Sequence, residues 1–154
     1  MTHRVGIVGG DGIGPEVIAP TLEALDAVRD VVGGFSLEYE RLDAGAALYA
    51  LTGESLPADT LRRAGEADAV LLGAMGMPDI RYPDGTEISP QLDLRERLDL
   101  FAGVRPVKAL PGLPASLADP RASGIDLVMV RESTEGLFAA RGRTVREGER
   151  AARD

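Results

Sequence analysis

Apolar and polar positions follow different rhythms along the chain, and each rhythm predicts an element. Val5-Gly6-Ile7-Val8 is a continuous apolar run, the mark of a short strand buried on both faces. It leads into the glycine-rich turn Gly9-Gly10-Asp11-Gly12-Ile13-Gly14. Ile18, Leu22 and Leu25 then recur at i, i+4 and i+7, which predicts a helix with one apolar face. Pro15 takes a favoured first helical position, Glu16 suits the positive end of the helix dipole, and Gly33-Gly34 ends the element. From Phe35 to Arg41 the period changes to two: Phe35, Leu37 and Tyr39 alternate with Ser36, Glu38 and Glu40, as in a half-buried strand near a sheet edge. Ala44 to Leu51 and Pro57 to Ala67 read as helices, and Ala69-Val70-Leu71-Leu72-Gly73 as a further buried strand. Strand, glycine turn, helix and strand in this order predict an α/β fold.

The second half is less regular. Gly73 to Pro90 has few apolar anchors and reads as a long loop, either a mobile surface excursion or a functional segment. A helix follows, with Leu94, Leu98 and Phe101 on one face and Arg95 at its edge; Ser89 is well placed to cap its start. Gly103 to Val107 is predicted to be extended, because Pro106 pushes the preceding residue out of the α region. Ile125 to Val130 is a β-branched apolar strand with Arg131-Glu132 at its carboxyl end, where open α/β sheets bind ligands. Around Phe101 to Gly103 the chain passes into a proline-rich extended stretch. This divides it into a first lobe, residues 1–100, and the start of a second, residues 101–154. Arg141 to Asp154 is a polar, charged run.

Chemistry concentrates on arginine. Arg95, Arg105 and Arg131 stand at the edges of apolar segments, and a planar guanidinium grips a carboxylate through two parallel hydrogen bonds. Such a cluster would take a small, doubly anionic molecule. The alternative is that each arginine pairs with a nearby acid such as Glu96, Asp99 or Glu132. The glycine turn is not a Rossmann fingerprint, since Pro15 stands where a pattern counted from Gly10 needs its last glycine. It is either a tight structural turn or a loop that a cofactor approaches. Ser89 has capping as its competing role, and His3 reads as a terminal surface residue, since a metal site needs several convergent donors.

Composition narrows the classes. A formal charge of −8 over 154 residues argues against a nucleic-acid binder. No apolar run reaches the length of a membrane span, and the start opens directly into a strand rather than a signal peptide, so a cytoplasmic location is expected. The absence of cysteine excludes disulfides and thiolate metal sites.

The words that carry these residues resemble a known family. Leu94-Arg95-Glu96-Arg97-Leu98-Asp99-Leu100-Phe101, Arg105-Pro106, Val130-Arg131-Glu132-Ser133-Thr134-Glu135-Gly136 and Gly10-Asp11-Gly12-Ile13-Gly14-Pro15-Glu16 are similar, in order, to the isocitrate, isopropylmalate and tartrate/malate dehydrogenases. These are metal- and nicotinamide-dependent β-decarboxylating enzymes. The resemblance implies the N-terminal part of a two-lobed α/β fold that forms a homodimer with its active site in the cleft. It implies that Arg95, Arg105 and Arg131 hold the malate portion of a 2-hydroxy diacid. By the same resemblance Gly12, Ile13, Gly14 and Glu16, with Gly73, Ala74, Met75, Gly76 and Pro78, border NAD. Ser89 and Gln91 tune selectivity at the C3 substituent. The polar turn Ser89-Pro90-Gln91-Leu92-Asp93 favours a hydroxyl- or carboxyl-bearing malate over isopropylmalate, since an alkyl group buried against unpaired polar atoms is costly.

Two departures qualify what the resemblance implies. Phe138 stands where the family carries a tyrosine that helps protonate the enol left by decarboxylation, and phenylalanine has no proton to give. The family's catalytic lysine and the aspartates that bind Mg²⁺ or Mn²⁺ belong to sequence beyond Asp154, so no metal ligand is assigned within this chain. The chain by itself is expected to be inactive, with a non-catalytic dicarboxylate-binding fragment as the alternative.

Overall fold

The computed structural model describes residues 1–114, 117–132 and 134, and gives the backbone alone for residues 144–147 and 150–153. The chain divides into two compact units, Met1–Leu94 and Arg95–Asp154.

The first unit is built on a parallel sheet of order β2-β1-β3, with β1 at Thr2–Val8, β2 at Ser36–Leu42 and β3 at Ala69–Leu72. Helices α1 (Gly14–Val32), α2 (Ala46–Thr52) and α3 (Ala58–Glu66) connect the strands. The apolar run identified in the sequence is the centre: Val5, Ile7 and Val8 are 9%, 4% and 0% exposed. Burying each such side chain contributes about 1.5 to 3 kcal/mol. Val5 and Ile7 pack with Ile18 of α1, and Leu22, Leu37, Tyr39 and Leu71 close around them. The period-two strand therefore turns Leu37 and Tyr39 toward the same core as α1, at the edge of the sheet.

Helix α1 starts at Gly14, one residue before Pro15, and ends at Gly33, which has φ +67° and donates its N–H to the Arg29 carbonyl at 2.8 Å. Helix α2 ends in the same manner at Gly53, in the left-handed region.

The segment from Gly73 to Pro90 differs from the weakly anchored loop that its composition suggests. Ile88 is 1% exposed and Pro90 is also fully buried. Between them and Gly73, Arg81 bridges Glu87, and the Tyr82 amide donates to the Thr86 carbonyl at 3.0 Å, forming a small two-stranded turn.

Helix α4 spans Pro90–Arg97 and is shorter than its apolar spacing predicts. Asp99 adopts φ +51°, and the Leu100 amide reaches back to the Arg95 carbonyl at 2.9 Å, a left-handed closure that stops the helix. Leu98 lies in that turn, and Phe101 lies beyond it, 58% exposed, so of the predicted face only Leu94 remains in the helix.

The second unit is an antiparallel ribbon of β4 (Ala102–Lys108) and β5 (Asp126–Glu132), with a 3-10 turn at Pro120–Gly124 between them. A second antiparallel pair, β6 (Thr144–Glu147) with β7 (Arg150–Arg153), lies within the charged run where the sequence signalled no strand. Extended backbone there is set by pairing rather than by an apolar pattern.

Candidate functional site

Register decides which arginines meet. In the β4–β5 ladder Gly103 faces Arg131 and Arg105 faces Met129. Side chains alternate between faces, so Arg105 and Arg131 lie on the same face as diagonal cross-strand neighbours, a pairing within reach of long side chains. Gly103 leaves the position opposite Arg131 bare; a Cβ there would come to 3.2 Å from the Arg131 carbonyl oxygen. Arg95 belongs to the same unit but to the last turn of α4, where a cation also complements the helix dipole.

Arg105 and Arg95 contrast with the arginines that the structure holds in ion pairs. Arg29 pairs with Asp26 and Asp30, Arg62 with Asp59 and Glu66, Arg63 with Glu40, and Arg121 with Asp119, all at 2.6–2.8 Å. These contacts raise the guanidinium pKa values further, and they hold the Asp59 and Asp119 carboxyls below the usual range. Neither Arg95 nor Arg105 has an acidic partner among the described residues. Pairing with Glu96, Asp99 or Glu132, the alternative raised by the sequence, is not seen for these two among the described residues. Arg131 does engage another group.

In the first unit the glycine turn and the loop after β3 pack backbone to backbone. The Asp11 amide donates to the Ala74 carbonyl at 2.9 Å, and the Gly73 amide to the Val8 carbonyl at 2.8 Å. Gly10, at φ +76°, admits no side chain, because a Cβ would lie 2.0 Å from the Ala74 oxygen. Gly14 and Gly73 are equally restricted by the Gly9 carbonyl. These three glycines thus serve the packing of the two segments, one of the readings that the sequence left open. Gly12 differs: it has φ +55°, is exposed, and its nearest neighbour to a Cβ is the Gly76 oxygen at 3.6 Å. Ile13 beside it is 62% exposed, and Glu16 and Pro78 face solvent. Gly12-Ile13 and Met75 to Pro78 therefore form an accessible edge whose backbone a planar ring could approach closely.

Parallel strands β2 and β3 flank β1 on opposite sides, and the segments leaving β1 and β3 pack against each other at the carboxyl end of the sheet, the end where open α/β folds bind ligands. A cleft of about 760 Å³ opens nearby, between α1 and α2 over β1 and β2, lined by Ile18, Leu22, Arg41, Asp43, Leu48 and Leu51 among others. None of the sequence-predicted contact residues lines it.

Ser89 directly precedes α4, and its carbonyl accepts the Leu92 amide at 2.9 Å. Its hydroxyl makes no hydrogen bond among the described residues, so the side-chain cap expected from sequence is not formed. Gln91 has its Oε1 buried without a hydrogen-bond partner among the described residues. Phe138 lies outside the described residues. Among the described residues no group of three or more His, Asp or Glu could hold a metal ion, and no helix is long and apolar enough to cross a membrane.

Sequence reasoning missed Asp11, which is 4% exposed. Its carboxylate accepts the Ala46 and Ala47 amides of α2 at 2.6 and 2.9 Å. The only signal in the sequence is an acid inside a glycine turn, and its partners lie far along the chain.

A parallel sheet with connecting helices and an arginine-bearing antiparallel ribbon make this an α/β protein. The chain belongs to the isocitrate/isopropylmalate dehydrogenase family, whose model matches residues 4–154. It is 43% identical over 145 residues to the 3-isopropylmalate dehydrogenase of Corynebacterium diphtheriae, covering 94% of this chain and 41% of that protein. It is 36% identical over 147 residues to a probable tartrate dehydrogenase/decarboxylase of Agrobacterium vitis, covering 95% and 40%. Among solved structures, an apo β-decarboxylating dehydrogenase from Thermococcus kodakarensis matches 97% of this chain and 39% of that one, with a TM-score of 0.65 and 33% identity. The isocitrate dehydrogenase of Methylococcus capsulatus matches 97% and 41%, with a TM-score of 0.71 and 28% identity. The chain thus spans about two fifths of the length of the relatives it matches.

Proposed function

We propose that this chain supplies the substrate clamp and the nicotinamide edge of an NAD-dependent enzyme, homodimeric and cytoplasmic when complete, that oxidises a malate-type 2-hydroxy diacid. The observation that carries the reading is the β4–β5 register, which sets Arg105 and Arg131 on one face. The two guanidinium groups orient the carboxylates of the diacid, and Arg95 holds it from the helix before the ribbon. Gly12, Ile13, Gly14 and Glu16, with Gly73, Ala74, Met75, Gly76 and Pro78, border the cofactor. NAD, when bound, supplies the hydride acceptor at C2. By the family resemblance the ligands of Mg²⁺ or Mn²⁺ would come from outside this chain.

Ser89 and Gln91 set selectivity at C3. A hydroxyl and a buried amide oxygen, both without partners among the described residues, favour a substituent that can hydrogen-bond, as in tartrate or isocitrate, over an alkyl group whose burial would leave both unsatisfied. Phe138 leaves the enol without a phenolic proton, so oxidation outpaces decarboxylation.

The test joins this chain to the carboxy-terminal remainder of the Corynebacterium relative and measures NADH and CO₂ from the same reaction with tartrate, D-malate, isocitrate and isopropylmalate. Arg131→Ala is expected to lower kcat/KM by about 2 to 4 kcal/mol in transition-state terms, the worth of a desolvated bidentate contact. An unchanged kcat/KM excludes the clamp. Phe138→Tyr is expected to raise CO₂ release more than hydride transfer, by roughly 10- to 100-fold if proton delivery limits the reaction. Equal effects on both products would make Phe138 a packing residue. The 154-residue chain alone should form no NADH.

A further inference from the structure

Two segments of the candidate site are fastened to the same short helix, α2, which has no part in the clamp or the cofactor edge. At its start the Asp11 carboxylate takes the Ala46 and Ala47 amides, and Gly45, at φ +135°, has no room for a side chain because a Cβ would lie 2.4 Å from Asp11 Oδ2. Along its side Tyr49 meets Tyr82 edge to face, with ring centroids 5.1 Å apart and planes at 76°. Just after it Ser55, 8% exposed, shares a 2.7 Å hydrogen bond with the Tyr82 hydroxyl. A seven-residue helix does not persist by itself, so α2 exists through these tertiary contacts as much as they depend on it.

We propose that α2 with Ser55 is the common anchor of the candidate site. Asp11 hangs the glycine turn on it, and Tyr82 hangs on it the loop that leads to Ser89 and Gln91. Asp11 and Tyr82 are then positioning residues: neither needs to touch a ligand, and each fixes a segment that does. The functional part of this inference rests on the proposed roles of those segments as cofactor edge and C3 turn. The mechanical part does not. Because one helix holds both segments, loosening it loosens the cofactor edge and the C3 turn together, while the β1–β2 ladder keeps its own hydrogen bonds.

Residue-resolved amide hydrogen exchange on the 154-residue chain tests this directly. Ala46 and Ala47 are expected to be protected. Asp11→Ala should accelerate exchange at Ala46, Ala47 and Gly14 by about 10- to 100-fold, and Asp11→Asn, which keeps an acceptor oxygen, should recover most of the protection. Tyr82→Phe should act at Gly85 and Leu92 instead. The deciding variant is Ala50→Gly, at an exposed position of α2. It should accelerate Gly14 and Gly85 together and leave the β1–β2 amides unmoved. Movement of only one set, equal acceleration of the ladder, or unprotected Ala46 and Ala47 in the parent chain would each overturn the anchor. A separate NADH fluorescence titration decides the cofactor reading: no binding removes that reading, and the exchange pattern still decides whether α2 is the anchor.

Discussion

The two units use similar apolar strands to opposite ends. In the first, β1 is buried along Val5–Val8 and flanked by strands on both sides. In the second, β4 and β5 are exposed almost throughout: Val104 is 61%, Val128 59% and Val130 66% exposed, in a ribbon only two strands wide. Hydrogen bonds within a ladder do not bury side chains; only a neighbouring layer does, and two strands without one are marginal. The difference teaches where each unit's residues are committed. The first places its apolar side chains in a core and most of its arginines in ion pairs, whereas the second keeps Arg95 and Arg105 without acidic partners among the described residues. Stability and ligand recognition therefore respond to different substitutions.

The largest expected effect tests that separation. Ile88→Ala removes a side chain that is 1% exposed and should cost about 2 to 5 kcal/mol in chemical denaturation. Val130→Ala should change stability by less than about 0.5 kcal/mol. Comparable losses would mean that the ribbon is covered in solution, and the contrast between the units would collapse.

A smaller effect sharpens the picture at α4. The left-handed backbone of Asp99 at φ +51° is strained for a residue with a side chain, so Asp99→Gly should gain up to about 1 kcal/mol, read as a higher denaturation midpoint. A lower midpoint would show that the aspartate side chain contributes more than its backbone costs.

The smallest effect concerns the core edge. Burial raises the Tyr39 pKa, and its 3.1 Å hydrogen bond to Asp26 and the aspartate charge raise it further, against a lowering by Arg29. Below its ordinary value of about 10 the phenol is protonated in both folded and unfolded chains, and its contribution to stability is complete. As pH rises from there toward the raised folded value, the unfolded chain loses the proton first, so stability falls. Tyr39→Phe should make this alkaline decline shallower in denaturation experiments. Identical slopes for the two proteins would show that Tyr39 is not linked to folding in this way.

Local pattern determined much of this protein. The run at Val5–Val8, the spacing of Ile18 and Leu22, the alternation at Leu37 and Tyr39 and the stop at Gly33 each concern neighbours in sequence, and each emerges in the structure as a buried strand, a helix, an edge strand and a helix end. The arginines were legible as chemistry because their words resemble those of a family that the chain indeed belongs to. Only tertiary structure decided the rest. Phe101 leaves the predicted apolar face because the chain turns at Asp99, and Ile88 becomes core although its loop composition suggested exposure. Register, not spacing, sets Arg105 and Arg131 on one face, since a slip of one residue would part them. Asp11 and Tyr82 find partners 35 and 27 residues away. A side chain's nearest neighbours in sequence constrain its backbone, but hydrogen-bond partners and burial are properties of the space that distant segments fill, and periodicity carries no record of that space.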